Sequence, residues 1–231
     1  MKRTFRRFFT VLILLAAAHG PAQAATWNYA FGTWLANGYG HTGPSLQPEQ
    51  TFASLSVSTT DWLKFDFTLR AFDAPDGATL ASVFGAGAFI AKAVFNSASG
   101  ADPVSISNIE TNGYVGNVYM VTAAPTLGGV GFDFGDCFGS SGPCSNAGPS
   151  SGRLESGEWV SWSLTFASRQ DPFLGTPPVA LNVQAGSKDG LTNAWYTPTS
   201  PIPEPETYAM LLAGLGLMGF VARRRRNTLS G

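Results

Sequence analysis

Cys137 and Cys144 are the only two cysteines of this 231-residue chain, and they bracket Phe-Gly-Ser-Ser-Gly-Pro. Two thiols at that spacing close a small disulfide loop, worth roughly 2.5 kcal/mol in the chain-entropy picture. With no histidine beside them they supply too few ligands for a closed zinc site, so the disulfide is the expected chemistry if the chain reaches an oxidising compartment. The second chemical feature is Glu204, held between Pro203 and Pro205. Each proline fixes its own φ and pushes the residue before it towards an extended conformation. Residues Pro201 to Pro205 are therefore expected to stand away from the folded body as a stiff strand that offers Glu204 to a partner.

Catalytic chemistry is sparsely provided. Beyond the N-terminal segment the chain has one histidine, His41, in a glycine-rich stretch, and no Gly-x-Ser-x-Gly turn; a nucleophile needs a base and an orienter beside it. The carboxylates would allow a paired-acid glycosidase only if two met at working separation. Asp73, Asp76, Asp133 and Asp136 are expected in tight turns, where they could brace calcium. Their spacing is not that of an EF-hand, and Asp before Gly is ordinary turn chemistry. The reading is that the chain uses no metal and no cofactor. All six tryptophans precede the proline motif. Trp62 and Trp159 fall out of phase with the apolar face of their strands, so both are candidates for stacking on sugar rings.

The two ends say where these groups are delivered. Lys2, Arg3, Arg6 and Arg7 precede an apolar run from Phe8 to Ala18, and Ala22-Gln23-Ala24 follows: a secretory signal peptide over residues 1–24, read by the Sec translocon and signal peptidase. At the other end, residues 201–207 form a proline-rich linker. An apolar run over 208–222 follows, and then a basic tail over 223–231 that opens with Arg223, Arg224, Arg225 and Arg226. As a helix the apolar run reaches about 22 Å, short of the roughly 30 Å hydrocarbon core. The arginines can snorkel to the headgroups and hold the C-terminus in the cytoplasm. The order Pro-Glu-Pro, apolar segment with Leu211-Leu212-Ala213-Gly214-Leu215-Gly216, arginine cluster resembles the PEP-CTERM sorting domain of Gram-negative bacteria. That resemblance implies recognition and cleavage by an exosortase, an integral-membrane transpeptidase-like enzyme of bacteria that make exopolysaccharide, after a transient stay in the inner membrane.

Between the ends lies one domain, residues 25–200. Six cations face thirteen acids there, leaving a charge of about −7. Such a surface excludes nucleic acid and repels anionic polymers. Alternation of apolar and polar residues marks strands at Trp62–Phe72 and Glu158–Ser168. Weaker strand signals occur at Trp27–Trp34, Thr51–Ser58, Ala88–Asn96, Pro103–Ile109, Tyr114–Thr122, Val130–Phe134, Val179–Ala185 and Ala194–Thr197, and Gly135–Gly157 reads as a long surface loop. The expected fold is all-β, a jelly-roll-like sandwich of two antiparallel sheets, with a signal helix before it and a transmembrane helix after it. The expected function is that of a non-catalytic, exported surface or matrix protein associated with exopolysaccharide. A carbohydrate-binding module and a secreted hydrolase are the alternatives.

Overall fold

The computed structural model describes residues 24–35, 51–97, 100–121, 126–127, 130–139, 153–170, 177–184, 186, 193–201 and 215. Twelve strands and one short helix occur among them: β1 (Ala25–Trp34), β2 (Ala53–Thr59), β3 (Lys64–Ala71), α1 (Leu80–Phe84), β4 (Phe89–Phe95), β5 (Pro103–Thr111), β6 (Asn117–Val121), β7 (Thr126–Leu127), β8 (Val130–Gly131), β9 (Phe134–Gly139), β10 (Trp159–Phe166), β11 (Val179–Gln184) and β12 (Asn193–Pro201). Ten strands join in one antiparallel sheet ordered β5-β10-β3-β2-β1-β12-β11-β4-β9-β6, and β7 pairs with β8 in a second, two-stranded sheet.

The expected pair of sheets is thus met differently: one large sheet supplies both facing layers. Its middle ladder, β1 with β12, carries two register shifts, between Tyr29 and Phe31 and between Phe31 and Thr33. Such irregularities bend a strand and increase its twist, so hydrogen bonding continues where the sheet folds over. Aromatic contacts close the fold from within. Phe67 of β3 meets Phe95 of β4 at 5.2 Å, Phe166 of β10 meets Phe134 of β9 at 5.5 Å, and Trp162 of β10 meets Phe138 of β9 at 5.5 Å.

Local sequence explains each layer. In β3, Phe65, Phe67, Leu69 and Ala71 are buried while Asp66, Thr68 and Arg70 are exposed, the alternation of a half-wet strand. In β11, by contrast, five consecutive residues from Val179 to Val183 are buried. Val179, Leu181 and Val183 join the main core, while Ala180 joins Val94, Leu127, Phe132 and Trp195 in a small outer core under the β7–β8 hairpin. α1 closes one end of the main core: Thr79 caps it by accepting from Ser82 N at 3.0 Å, and buried Phe84 meets Phe52 and Tyr196, each at 5.0 Å.

Three expectations are corrected. The reading of Gly135–Gly157 as surface loop fails at its start, because Gly135 to Phe138 are buried residues of β9 between β4 and β6. Asp136 accordingly lies in a strand rather than a turn. Trp62 and Leu63 do not belong to β3 but to the turn before it. Pro201 does not stand away from the body: it ends β12, opposite Tyr29.

Candidate functional site: the end of the sheet where the chain leaves it

The turn from β2 to β3 is built by two side chains. Thr59, buried, accepts from Trp62 N through Oγ1 at 2.9 Å and donates to Lys64 O at 2.7 Å. Asp61 Oδ1 accepts from Leu63 N at 2.9 Å and Lys64 N at 2.8 Å. Those backbone donors, Lys64 first, hold its carboxyl below the usual carboxylate range. Together they keep Trp62 at φ 64°, a left-handed conformation that costs a non-glycine residue about 1–3 kcal/mol. The Trp62 carbonyl accepts from Gln170 N and the Leu63 carbonyl from Phe166 N, both at 2.9 Å, so the segment after β10 buttresses the turn.

The Trp62 indole is half-buried. Trp27 meets it edge-on at 5.9 Å, and the Arg169 guanidinium lies 5.2 Å over its ring; arginine over an indole is a favourable cation–π pair. Trp27 in turn packs on Phe65 at 6.4 Å, which links the tip to the core. Trp159 sits elsewhere. It opens β10 opposite Arg70, its N–H donating to Asn112 Oδ1 at 2.6 Å. The same ladder pairs Thr165 with Lys64 beside the Trp62 turn. Six strand steps therefore separate the two tryptophans, about 20 Å, and the fold does not bring them together.

The acids expected in turns form no shared site. Asp73 Oδ1 accepts from Ala74 N at 3.0 Å, Asp76 pairs with Arg70 at 2.6 Å, and Asp133 Oδ2 accepts from Ser97 N at 2.6 Å. No group of three or more metal-ligating side chains occurs among the described residues. Asp136 is fully buried on β9, facing inward between Phe134 and Phe138. Its Oδ2 accepts from Trp162 Nε1 at 2.8 Å, and its Oδ1 meets no partner among the described residues. Burial pushes its carboxyl up to about 8, the Trp162 hydrogen bond opposing. Sequence reasoning missed this pair, as it missed Trp27 and Arg169. The signal for Asp136 was a lone acid flanked by Phe134 and Phe138 at strand spacing.

Cys137 is buried on β9 and is not a free thiol; Cys144 lies outside the described residues, as do His41 and residues 1–23. Pro203, Glu204, Pro205 and Arg223 to Arg226 also lie outside them. Of the span 208–222 only Leu215 is described, helical and exposed. Among the described residues no helix is long and apolar enough to cross a membrane.

The segment that follows β12 carries a recognisable motif. Residues 201–226 match the PEP-CTERM protein-sorting motif. The chain carries a PEP-CTERM sorting signal. No curated protein is similar enough to the whole chain to count as a match. The PEP-CTERM match begins at Pro201, the last residue of β12, so folded sheet and sorting signal abut with no spacer. The signal supports an exported protein with a membrane-anchored precursor, and it implies an exosortase as the processing partner.

Proposed function

We propose that the protein is a non-catalytic exported domain, delivered by Sec and signal peptidase and tethered in the inner membrane by residues 208–222. An exosortase then cuts it at the proline motif and leaves it at the cell surface or in the exopolysaccharide matrix. The observation that supports this best is the abutment at Pro201. β12 lies between β1 and β11, so the strand must be in place for the sheet to be continuous, and no ladder among the described residues uses anything beyond it. A disulfide between Cys137 and Cys144, attached to a strand paired on both sides, suits an oxidising destination.

The test is mass and location in strains with and without the exosortase. With the enzyme, the product is expected outside the inner membrane and lighter by its C-terminal segment. Without it, or with Glu204→Ala, the uncut precursor is expected to accumulate in the inner membrane. Equal mass in both strains would remove the processing role.

Carbohydrate binding through a shared tryptophan strip is disfavoured by the roughly 20 Å between Trp62 and Trp159. Replacing both by alanine is expected to leave retention on purified exopolysaccharide unchanged. A clear loss of retention would restore the binding-module reading.

A further inference from the structure

The end of the sheet at which β12 finishes is assembled from several elements. β1 begins there, opposite Thr59, and runs four residues past Tyr29, the partner of Pro201; at strand rise that is about 13 Å. The Trp62 turn caps this projection. β5 also starts at the same end, Pro103 facing Phe166. Among the described residues of the sheet domain, the large hydrophobic side chains that stay exposed are Leu63 at 40 %, Val104 at 58 % and Tyr114 at 74 %. Leu63 and Val104 both lie at this end, about two strand spacings or 10 Å apart. Trp27 and Trp62 stand beside them, half-buried, with Arg169 exposed over Trp62. Tyr114 is at the far end, between β5 and β6.

Sequence length fixes how far this end can be from lipid. Six residues separate Pro201 from Tyr208, the first of the apolar run, and the seven Cα steps between them span at most about 25 Å when fully extended. The tip projects past Pro201 by about half of that reach. Tryptophan, with an apolar ring and a polar N–H, is the side chain favoured at the membrane–water interface. A tether this short also keeps the local lipid concentration high, so a weak contact suffices.

We propose that the Trp27, Trp62, Leu63 and Val104 tip rests on the outer surface of the inner membrane in the tethered precursor, its partner being the phospholipid headgroup and upper acyl region. The proposal rests on the tethering read from the PEP-CTERM signal. Lys64 and Arg169 at the tip face three acids, Asp61, Asp66 and the exposed Asp102, with Lys64 Nζ 3.7 Å from Asp66, so the tip has no cationic excess and the contact is apolar and independent of anionic lipid. Its consequence is orientation: the domain is pinned upright, and Pro203-Glu204-Pro205 is held at the depth where a membrane-embedded exosortase works.

The experiment uses the full chain reconstituted in phosphatidylcholine vesicles, with the native cysteines left oxidised. Thr60→Cys, Tyr114→Cys and Met218→Cys variants each carry one environment-sensitive dye, and the lipid carries a doxyl quencher. Loss of fluorescence at positions 60 and 218 but not 114 is expected, unchanged when phosphatidylglycerol is added. Quenching at 218 alone, or equally at 60 and 114, overturns the tip contact while leaving the tether intact. Quenching at none of the three overturns tether and tip together.

Discussion

Trp162→Ala is expected to leave the domain at the edge of unfolding. Trp162 is 1 % exposed, stacks on Phe67 at 5.2 Å with the rings nearly parallel, and meets Phe138 edge-on at 5.5 Å. It joins β3 and β10 to β9 across the fold. Emptying such a site costs about 3–5 kcal/mol. The change also strips Asp136 of its Trp162 donor, leaving a buried polar group unsatisfied for a further roughly 1–3 kcal/mol. Against a total stability of about 5–15 kcal/mol, the sum is decisive. Urea unfolding followed by circular dichroism measures it. Trp162→Phe separates the two contributions, since it retains most of the ring and loses only the donor, and it should cost about half as much or less. Trp159→Ala is the control. That side chain is half-buried at a strand end, and its backbone, not its ring, ties β10 to Asn112; a small loss is expected. Equal losses for Trp159→Ala and Trp162→Ala would mean that the cross-sheet ring packing does not hold the layers together.

The contrast between these two tryptophans shows what the sequence made legible. β3 and β10 were readable because each has one wet face, and alternation survives only where water touches one side. β9 was not readable. Both its faces are covered, its core side carries an acid at Asp136, and its glycines and cysteine merge with the turn-rich segment that follows. β7 and β8 have two residues each, too few for any period, yet they cover the outer core around Trp195. Trp62 was placed on the wet face of β3 because it shares parity with Lys64 and Asp66. The left-handed turn at Trp62 resets that parity, and the side chain turns inward onto Trp27. The folding of one sheet into two layers depends on register shifts in β1, which leave no mark in composition. The sorting signal was legible residue by residue for the opposite reason: whatever reads it meets a linear peptide, so its information is in the order of side chains and not in packing.

The same buried pair makes a contribution to stability that should fall as pH rises. Among the described residues no cation faces Asp136. Trp162 of β10 donates to it, and its neighbours across the β9 ladders are Ala93 of β4 and Met120 of β6. Burial favours its protonated form and pushes the carboxyl from 3.8 up to about 8. The folded state therefore keeps a proton that the unfolded chain gives up, and the contribution of Asp136 to stability is greatest below the unfolded value of 3.8. As pH climbs towards 8 it declines by a little over 1 kcal/mol for each unit, levelling off once the folded carboxyl ionises. Tyr29, raised to about 12 by burial, titrates outside this window. Asp61 is shifted the other way but is exposed at the tip, and it contributes equally to both proteins in a comparison. Asp136→Asn mimics the protonated acid and can still accept from Trp162. It should flatten the slope between about pH 5 and about pH 8 and make the variant the more stable protein at the alkaline end. Urea midpoints for the two proteins across that range decide the matter. Parallel curves would mean that Asp136 ionises in the folded domain as readily as in the unfolded chain, and that the fold does not exclude water from its carboxyl.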